Sequence, residues 1–377
     1  MAKTIKYLLV LLSFSACSQP ATPHKLAEPK KPIEVVSEPL RLGAERTEIF
    51  LPLLQGKKIG IIANQTSTIG HTHLVDSLLS LGLDVKRVFA PEHGFRGNAS
   101  AGEKISDSKD VKTGLPIVSL YGSNYKPSSR NLENLDVVIF DIQDVGARFY
   151  TYISTMSHMM EACAEKGISM VLMDRPNPNG HYVDGPMLNK QFSSFVGLHE
   201  VPIVHGMTVG EYAKMVNGEG WLKEGIQCEL IVIEMQNYKK QEVYELPIAP
   251  SPNLPNMKAI YLYPSLCFFE GTELSEGRGT DKPFQQFGYP KMPNGNTTFK
   301  PKSIKGVAQY PKLEGKKCKG LNLSILTEDS LRNLRQVNLE WLIETYKNYP
   351  KKDKFFKTNF FDKLAGSTEL RKQVIAG

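Results

Sequence analysis

Five short apolar runs rich in β-branched residues recur through the first half of the chain, and each stops abruptly at polar residues. Residues 57–63 end at Asn64-Gln65-Thr66-Ser67, 84–90 at Pro91-Glu92-His93, and 115–120 at Tyr121-Gly122-Ser123. Residues 135–140 end at Asp141-Ile142-Gln143-Asp144, and 168–173 at Asp174-Arg175-Pro176-Asn177. Runs of this length and composition predict buried strands. Between them Leu74, Leu78 and Leu81 take helical spacing over 73–81. Ile153, Met156, Met160 and Cys163 mark a helix over 152–166 with Gly167 as its C-cap. A further helix is predicted over 208–216 and another strand over 229–233. This alternation predicts an α/β fold built on a doubly wound parallel sheet, and it puts the strand ends on one edge, where open sheets bind ligands.

The proline-dense stretch 247–255 breaks the pattern and predicts a domain boundary, giving a first domain over 42–256 and a second over 257–377. The second is mixed: short strands, a loop over 270–282 and one helix around 330–346. Ahead of both, Lys3 and Lys6 precede an apolar run over 7–14, followed by Ser15-Ala16-Cys17. This resembles a bacterial lipoprotein signal over 1–17, with Cys17 as the lipidated residue. Residues 18–41, with five prolines, read as a flexible tether. The expected location is periplasmic, anchored to a membrane through Cys17.

Composition narrows the chemistry. The 377 residues are 41% hydrophobic and 23% charged, ordinary for a soluble globular protein. The formal net charge is +7, and the surplus lysines crowd the last quarter (Lys300, Lys302, Lys305, Lys312, Lys316, Lys317, Lys319, Lys351, Lys352, Lys354). No aromatic-interleaved basic stripe accompanies them, so a solvated face is expected rather than a nucleic-acid site, with an anionic cell-wall or lipid partner left open. Cys163, Cys228, Cys267 and Cys318 lack metal-ligand spacing and read as buried free thiols. No Gly-x-Gly-x-x-Gly or Walker-type loop follows the first strand, so no nucleotide cofactor is indicated. His71, His73 and Asp76, or His93 with a strand-end acid, are too loosely spaced to assign a metal. The Gly-x-Ser-x-Gly elbow of serine hydrolases is absent.

Carboxylates remain. Glu92, Asp141 and Asp144 fall at adjacent strand ends, which suits glycoside cleavage: one carboxylic acid protonates the leaving oxygen and a second group meets the cationic sugar carbon. Behind an apolar strand and Pro91, partial desolvation favours the neutral acid that a proton donor needs. Asn64, Asp174 and Asn177 offer polar contacts to sugar hydroxyls at the same edge, and Tyr150 an aromatic face. Arg148, Arg175 and Arg278 offer forks for an acidic substituent, and Glu273 and Glu276 lie beside Arg278 in the later loop.

Four stretches carry a resemblance: Pro91-Glu92-His93-Gly94-Phe95-Arg96-Gly97, the run from Phe140 to Tyr152, Asp174-Arg175-Pro176-Asn177-Pro178, and the run from Glu270 to Thr280. Together they resemble the NamZ-type exo-β-N-acetylmuramidases from about Leu42 onward. The resemblance implies release of terminal N-acetylmuramic acid from peptidoglycan fragments, with muropeptides or the MurNAc-GlcNAc disaccharide as ligands. It implies a Rossmann-like catalytic domain, a smaller α+β C-terminal domain and a cleft between them. It implies Glu92 as catalytic acid, with His93 a sugar contact or an orienting partner, and leads us to expect a further C-terminal helix beyond Gly377. The second group stays open between Asp144, Asp141 and the substrate's own 2-acetamido group. A muropeptide-binding lipoprotein without turnover and a metal-dependent hydrolase are the competing readings.

Overall fold

The computed structural model describes residues 38–96, 108–122 and 124–377. The signal segment with Cys17, the tether up to residue 37, Gly97 and Ser123 lie outside the described residues.

After a first helix α1 (Thr47–Leu54), the chain lays down β1 (Lys58–Ala63), a small hairpin of β2 (Thr68–Ile69) and β3 (Thr72–His73), α2 (Leu74–Ser80) and β4 (Asp84–Ala90). Next come β5 (Ser108–Lys109), β6 (Pro116–Ser119), β7 (Val137–Asp141), α3 (Tyr152–Lys166), β8 (Ser169–Met173), α4 (Val209–Gly218) and β9 (Leu230–Ile233). Seven strands form one sheet in the order β5-β6-β4-β1-β7-β8-β9. All neighbours pair in parallel except the antiparallel edge strand β5. The six parallel strands follow the Rossmann order, which reverses between β1 and β7.

Each parallel strand is apolar on both faces because helices cover both. Ile59, Ile61, Val88, Val137, Ile139 and Val171 face a core shared with α1 and α2. Ile62, Phe89, Val138, Phe140, Met170 and Leu172 face the other core, shared with α3 and α4. Gly60 faces this side too: a Cβ there would lie 3.0 Å from the Phe89 ring and 2.8 Å from Leu135. Gly167 ends α3 in the left-handed conformation, φ +68°, as its C-cap role requires.

The remainder of the chain builds α5 (Met257–Leu266), β10 (Gln286–Tyr289), β11 (Thr297–Phe299), β12 (Cys318–Asn322), α6 (Glu328–Asn333), α7 (Glu340–Asn348), α8 (Thr358–Ala365) and α9 (Glu369–Ala376). Its three strands form a separate antiparallel sheet, β10-β12-β11. The core of α3 and α4 runs without interruption into this part through Phe268, Phe284, Phe355 and Phe361. The single helix expected around 330–346 is two. Arg335 adopts φ +46°, and the chain beyond it is held by Asp184, which accepts from Val337 N at 2.6 Å, and by Ser265, which accepts from Asn338 N at 2.9 Å. The four cysteines after residue 38 are buried free thiols. Among the described residues no helix is long and apolar enough to cross a membrane.

Candidate active site

The reversal of strand order places the turn after β1 beside the end of β7. Asn64 Oδ1 accepts from Thr66 N at 2.9 Å, Thr66 Oγ1 accepts from Gln143 N at 3.0 Å, and Ser67 donates to the carbonyl of Asp141. Gln65 donates to the carbonyl of Ala249 at 3.0 Å, so the proline-rich stretch after β9 is strapped across these strand ends. This segment lies where Rossmann folds keep a phosphate-binding glycine turn.

The pocket with the most chemistry lies one strand over. β4 ends at Ala90, and Pro91 stops the ladder. His93 at φ +70° and Gly94 at φ +79° then turn the chain back, with Gly94 N donating to Pro91 O at 3.0 Å. A non-glycine residue in the left-handed region is a strained feature that the surroundings must hold. The turn sets the half-buried Glu92 at the start of α3, where Thr151 Oγ1 donates to its Oε2 at 3.0 Å. Tyr152 OH lies 3.4 Å from the Glu92 carbonyl and 3.3 Å from that of Pro250. Burial, and then the neighbouring Glu92 carboxylate, pushes the Tyr121 phenol well above its usual range.

Glu92, His93, Tyr150 and Thr151 line a small cavity of about 40 Å³ together with Tyr263, Arg278 and Phe284 from the later part of the chain. Among the described residues that line it, Glu92 is the only carboxylate. Arg278 is set by its own loop: Nη2 donates to Glu270 at 2.9 Å, Nε lies 3.5 Å from Glu276, and the guanidinium packs 4.9 Å from the Phe284 ring centre. Its Nη1 is buried and has no hydrogen-bond partner, and the buried Tyr150 hydroxyl has that of Tyr152 beside it. Glu276 thus contacts Arg278, and also Lys312 at 2.8 Å.

Several expected ligand contacts have structural work instead. Asp141 is fully buried in a two-bond pair with Arg175, Nε–Oδ1 at 2.5 Å and Nη2–Oδ2 at 2.9 Å, so neither oxygen is left for a sugar. Asp174 holds the start of α4, accepting from Thr208 Oγ1 and Gly210 N, both at 2.8 Å. Burial pushes its carboxyl up to about 6. Asn177 bridges Asn179 N and Met207 O, both at 2.8 Å, and leaves room only for a glycine at Gly146, where a Cβ would come within 2.0 Å of it. Arg148 is wholly buried and donates to the carbonyls of Pro186 and Val201, both at 2.7 Å, and of Leu364 at 2.9 Å. Glu273 is exposed and does not line the cavity. The four buried groups, Asp141, Asp174, Asn177 and Arg148, take partners within the fold, as a buried charge or amide must.

Asp144 and Asn64 stand between the two groups. Asp144 Oδ2 accepts from Gly146 N at 2.7 Å, but Oδ1 is buried without a partner, and the Asn64 amide faces the Tyr152 hydroxyl. Burial pushes the Asp144 carboxyl up to about 7, against the pull of the Gly146 and Val145 N–H groups. Its charge also raises the neighbouring Tyr150 phenol. Sequence reasoning missed Thr151, Glu270 and Phe284 as parts of the site. The first two lie inside the quoted motifs, so spacing alone held a signal; Phe284 offered none. Among the described residues no cluster of His, Cys, Asp and Glu could hold a metal ion.

Two family models, described as the N-terminal and C-terminal parts of exo-β-N-acetylmuramidase NamZ, match residues 59–258 and 261–377. The chain belongs to the NamZ family. It is 39% identical over 343 residues to the peptidoglycan β-N-acetylmuramidase NamZ of Bacillus subtilis (strain 168), covering 86% of this chain and 81% of the relative. A solved DUF1343 family protein from Bacteroides fragilis NCTC 9343 is 48% identical, with TM-score 0.83 over 90% of this chain and 92% of its own. A second from the same organism is 27% identical, with TM-score 0.73 over 88% and 90% of the two chains.

Proposed function

We propose that the protein is an exo-acting glycoside hydrolase that releases terminal β-linked N-acetylmuramic acid from the non-reducing end of peptidoglycan fragments, with Glu92 as general acid. The observation that carries this reading is the meeting of Glu92 and Arg278, from motifs far apart in sequence, in one cavity. An acid beside a guanidinium whose buried Nη1 is left without a partner suits a sugar bearing a carboxylate, and the lactyl group of muramic acid is one. Its substrates are muropeptides or the MurNAc-GlcNAc disaccharide. The protein is exported and anchored through a lipid on Cys17.

Glu92 gives its proton to the glycosidic oxygen as the bond from that oxygen to C1 breaks. The carbonyl oxygen of the substrate's own 2-acetamido group attacks C1 and forms a cyclic oxazolinium ion. Water then adds at C1, its proton passes to the Glu92 carboxylate, and the ring reopens. Tyr150, backed by Asp144, forms the wall that holds the acetamido group.

The test uses a chromogenic β-N-acetylmuramide and the matching β-N-acetylglucosaminide. The muramide is released and the glucosaminide is not; equal release, or none, defeats the reading. Glu92→Gln lowers kcat by about 10²–10⁴-fold with an unchanged melting temperature. Tight binding of the disaccharide without turnover supports a capture protein in its place.

A further inference from the structure

The stretch from Lys291 to Asn322 contains eight lysines, no arginine and one acid, Glu314. Its formal charge therefore equals the +7 of the whole chain, and everything outside it sums to zero. This stretch folds into β11, β12 and their connection. Lys291, Lys300, Lys302 and Lys305 are exposed, as are Lys316, Lys317 and Lys319 around the start of β12. None of these seven has an ion-pair partner among the described residues. Some surface lysines elsewhere are paired, Lys239, Lys347 and Lys372 each within 3.0 Å of a glutamate oxygen, while others such as Lys57 and Lys363 stand exposed singly. What sets the β11–β12 face apart is the concentration of like charge, since the rest of the chain balances to zero. Concentrated charge of one sign repels itself and is relieved by a polyanion.

The face is also fastened to the site. Lys302 N donates to Gly279 O at 3.0 Å, next to Arg278. Lys312, the eighth lysine, turns inward onto Glu276 at 2.8 Å and onto the carbonyl of Thr272 at 3.2 Å. Among these lysines Tyr310 is 84% exposed, an aromatic ring face open to a sugar.

We infer that this lysine face is a docking surface for the carboxylate-bearing glycan chain that continues beyond the terminal sugar held at Glu92 and Arg278. The inference rests on the proposed glycosidase reading: an enzyme that takes the end of a polymer leaves the remaining chain outside its pocket, and the adjoining surface here carries seven exposed lysines with no ion pair among the described residues.

The experiment compares wild type with a variant carrying Lys300→Gln, Lys305→Gln, Lys316→Gln, Lys317→Gln and Lys319→Gln, leaving Lys302 and Lys312 to brace the loop. On isolated anionic glycan strands, wild-type kcat/KM falls about tenfold between roughly 20 and 500 mM salt, through KM. The variant shows the lower value at low salt and no salt dependence. On the small chromogenic muramide the two are equal. A variant that matches wild type on glycan strands overturns the inference. So does loss of binding to anionic phospholipid vesicles with glycan kinetics unchanged, which assigns the face to a membrane. If neither protein turns over any substrate, the glycosidase reading fails; salt-sensitive co-sedimentation of wild type but not variant with insoluble glycan then upholds the surface, and its absence overturns it.

Discussion

Thr151 is the N-cap residue of α3, yet its hydroxyl makes no capping bond and instead donates to Glu92 Oε2 at 3.0 Å. Threonine at this position normally satisfies an N–H of the first turn, worth about 1 kcal/mol. Here the hydroxyl is spent on orienting the proposed acid. Thr151→Val therefore costs little stability, because no cap is lost, but frees the Glu92 carboxyl. The expected result is a kcat about tenfold lower with KM nearly unchanged, a melting temperature within a few degrees of wild type, and recovery in Thr151→Ser. A stability loss matching the activity loss would make Thr151 structural.

Tyr150 gives a cleaner separation. Tyr150 lines the Glu92 cavity, and its buried hydroxyl has only the Tyr152 hydroxyl to bond among the described residues. Removing a buried hydroxyl with so little hydrogen bonding costs the fold little. Tyr150→Phe should melt close to the wild-type temperature while kcat on the muramide drops by on the order of tenfold to a hundredfold. Unchanged kinetics would remove Tyr150 from the acetamido wall.

Asp144 makes a pH prediction. Its carboxyl is held up to about 7 by burial, far above an unfolded aspartate. Between pH of about 4 and 7 the folded state holds a proton that the unfolded state has lost, so stability falls as pH rises through that window. Asp174, raised to about 6, adds to the slope in the same direction. Asp144→Asn keeps an acceptor for Gly146 N and cannot ionise. The half-buried His199 and the buried His205, held down to about 4 and about 3 by burial, slope the other way in both proteins, so the readout is the difference: from pH 4 to 8 wild-type stability should fall relative to the variant by up to about 4 kcal/mol. Equal slopes would place the titration elsewhere.

The sheet was legible because its strands are apolar on both faces. Lys58–Ala63, Asp84–Ala90 and Val137–Asp141 lie within a residue or two of the runs read from the sequence. α5 was hidden by its own prolines: Pro264 sits inside it and a proline-dense stretch precedes it, while the Asn256 cap, accepting from Ala259 N at 3.0 Å, was the overlooked signal. At the site, residue types and strand ends singled out Glu92, but they could not sort ligand contacts from internal pairs. Asp141 and Arg175 end neighbouring strands, β7 and β8, and nothing short of the folded register reveals that they neutralise each other. The same limit applied to the arginines.

Arg148 and Arg278 are the test of that sorting. Arg148 donates to three carbonyls, one of them at the end of α8, and none of its groups lines the Glu92 cavity. Arg148→Met strands three buried oxygens and should cost about 3–5 kcal/mol in chemical denaturation, with KM for the muramide unchanged in the protein that remains folded. Arg278 has the opposite profile. Arg278→Lys keeps a positive charge between Glu270 and Glu276 but loses the fork whose buried Nη1 has no partner. Stability should change little, while KM for the muramide rises about tenfold or more and the already low rate on the glucosaminide stays the same. The lost discrimination is the readout: a ratio of the two substrates unmoved by Arg278→Lys would mean that the carboxylate of the sugar is read by some other group.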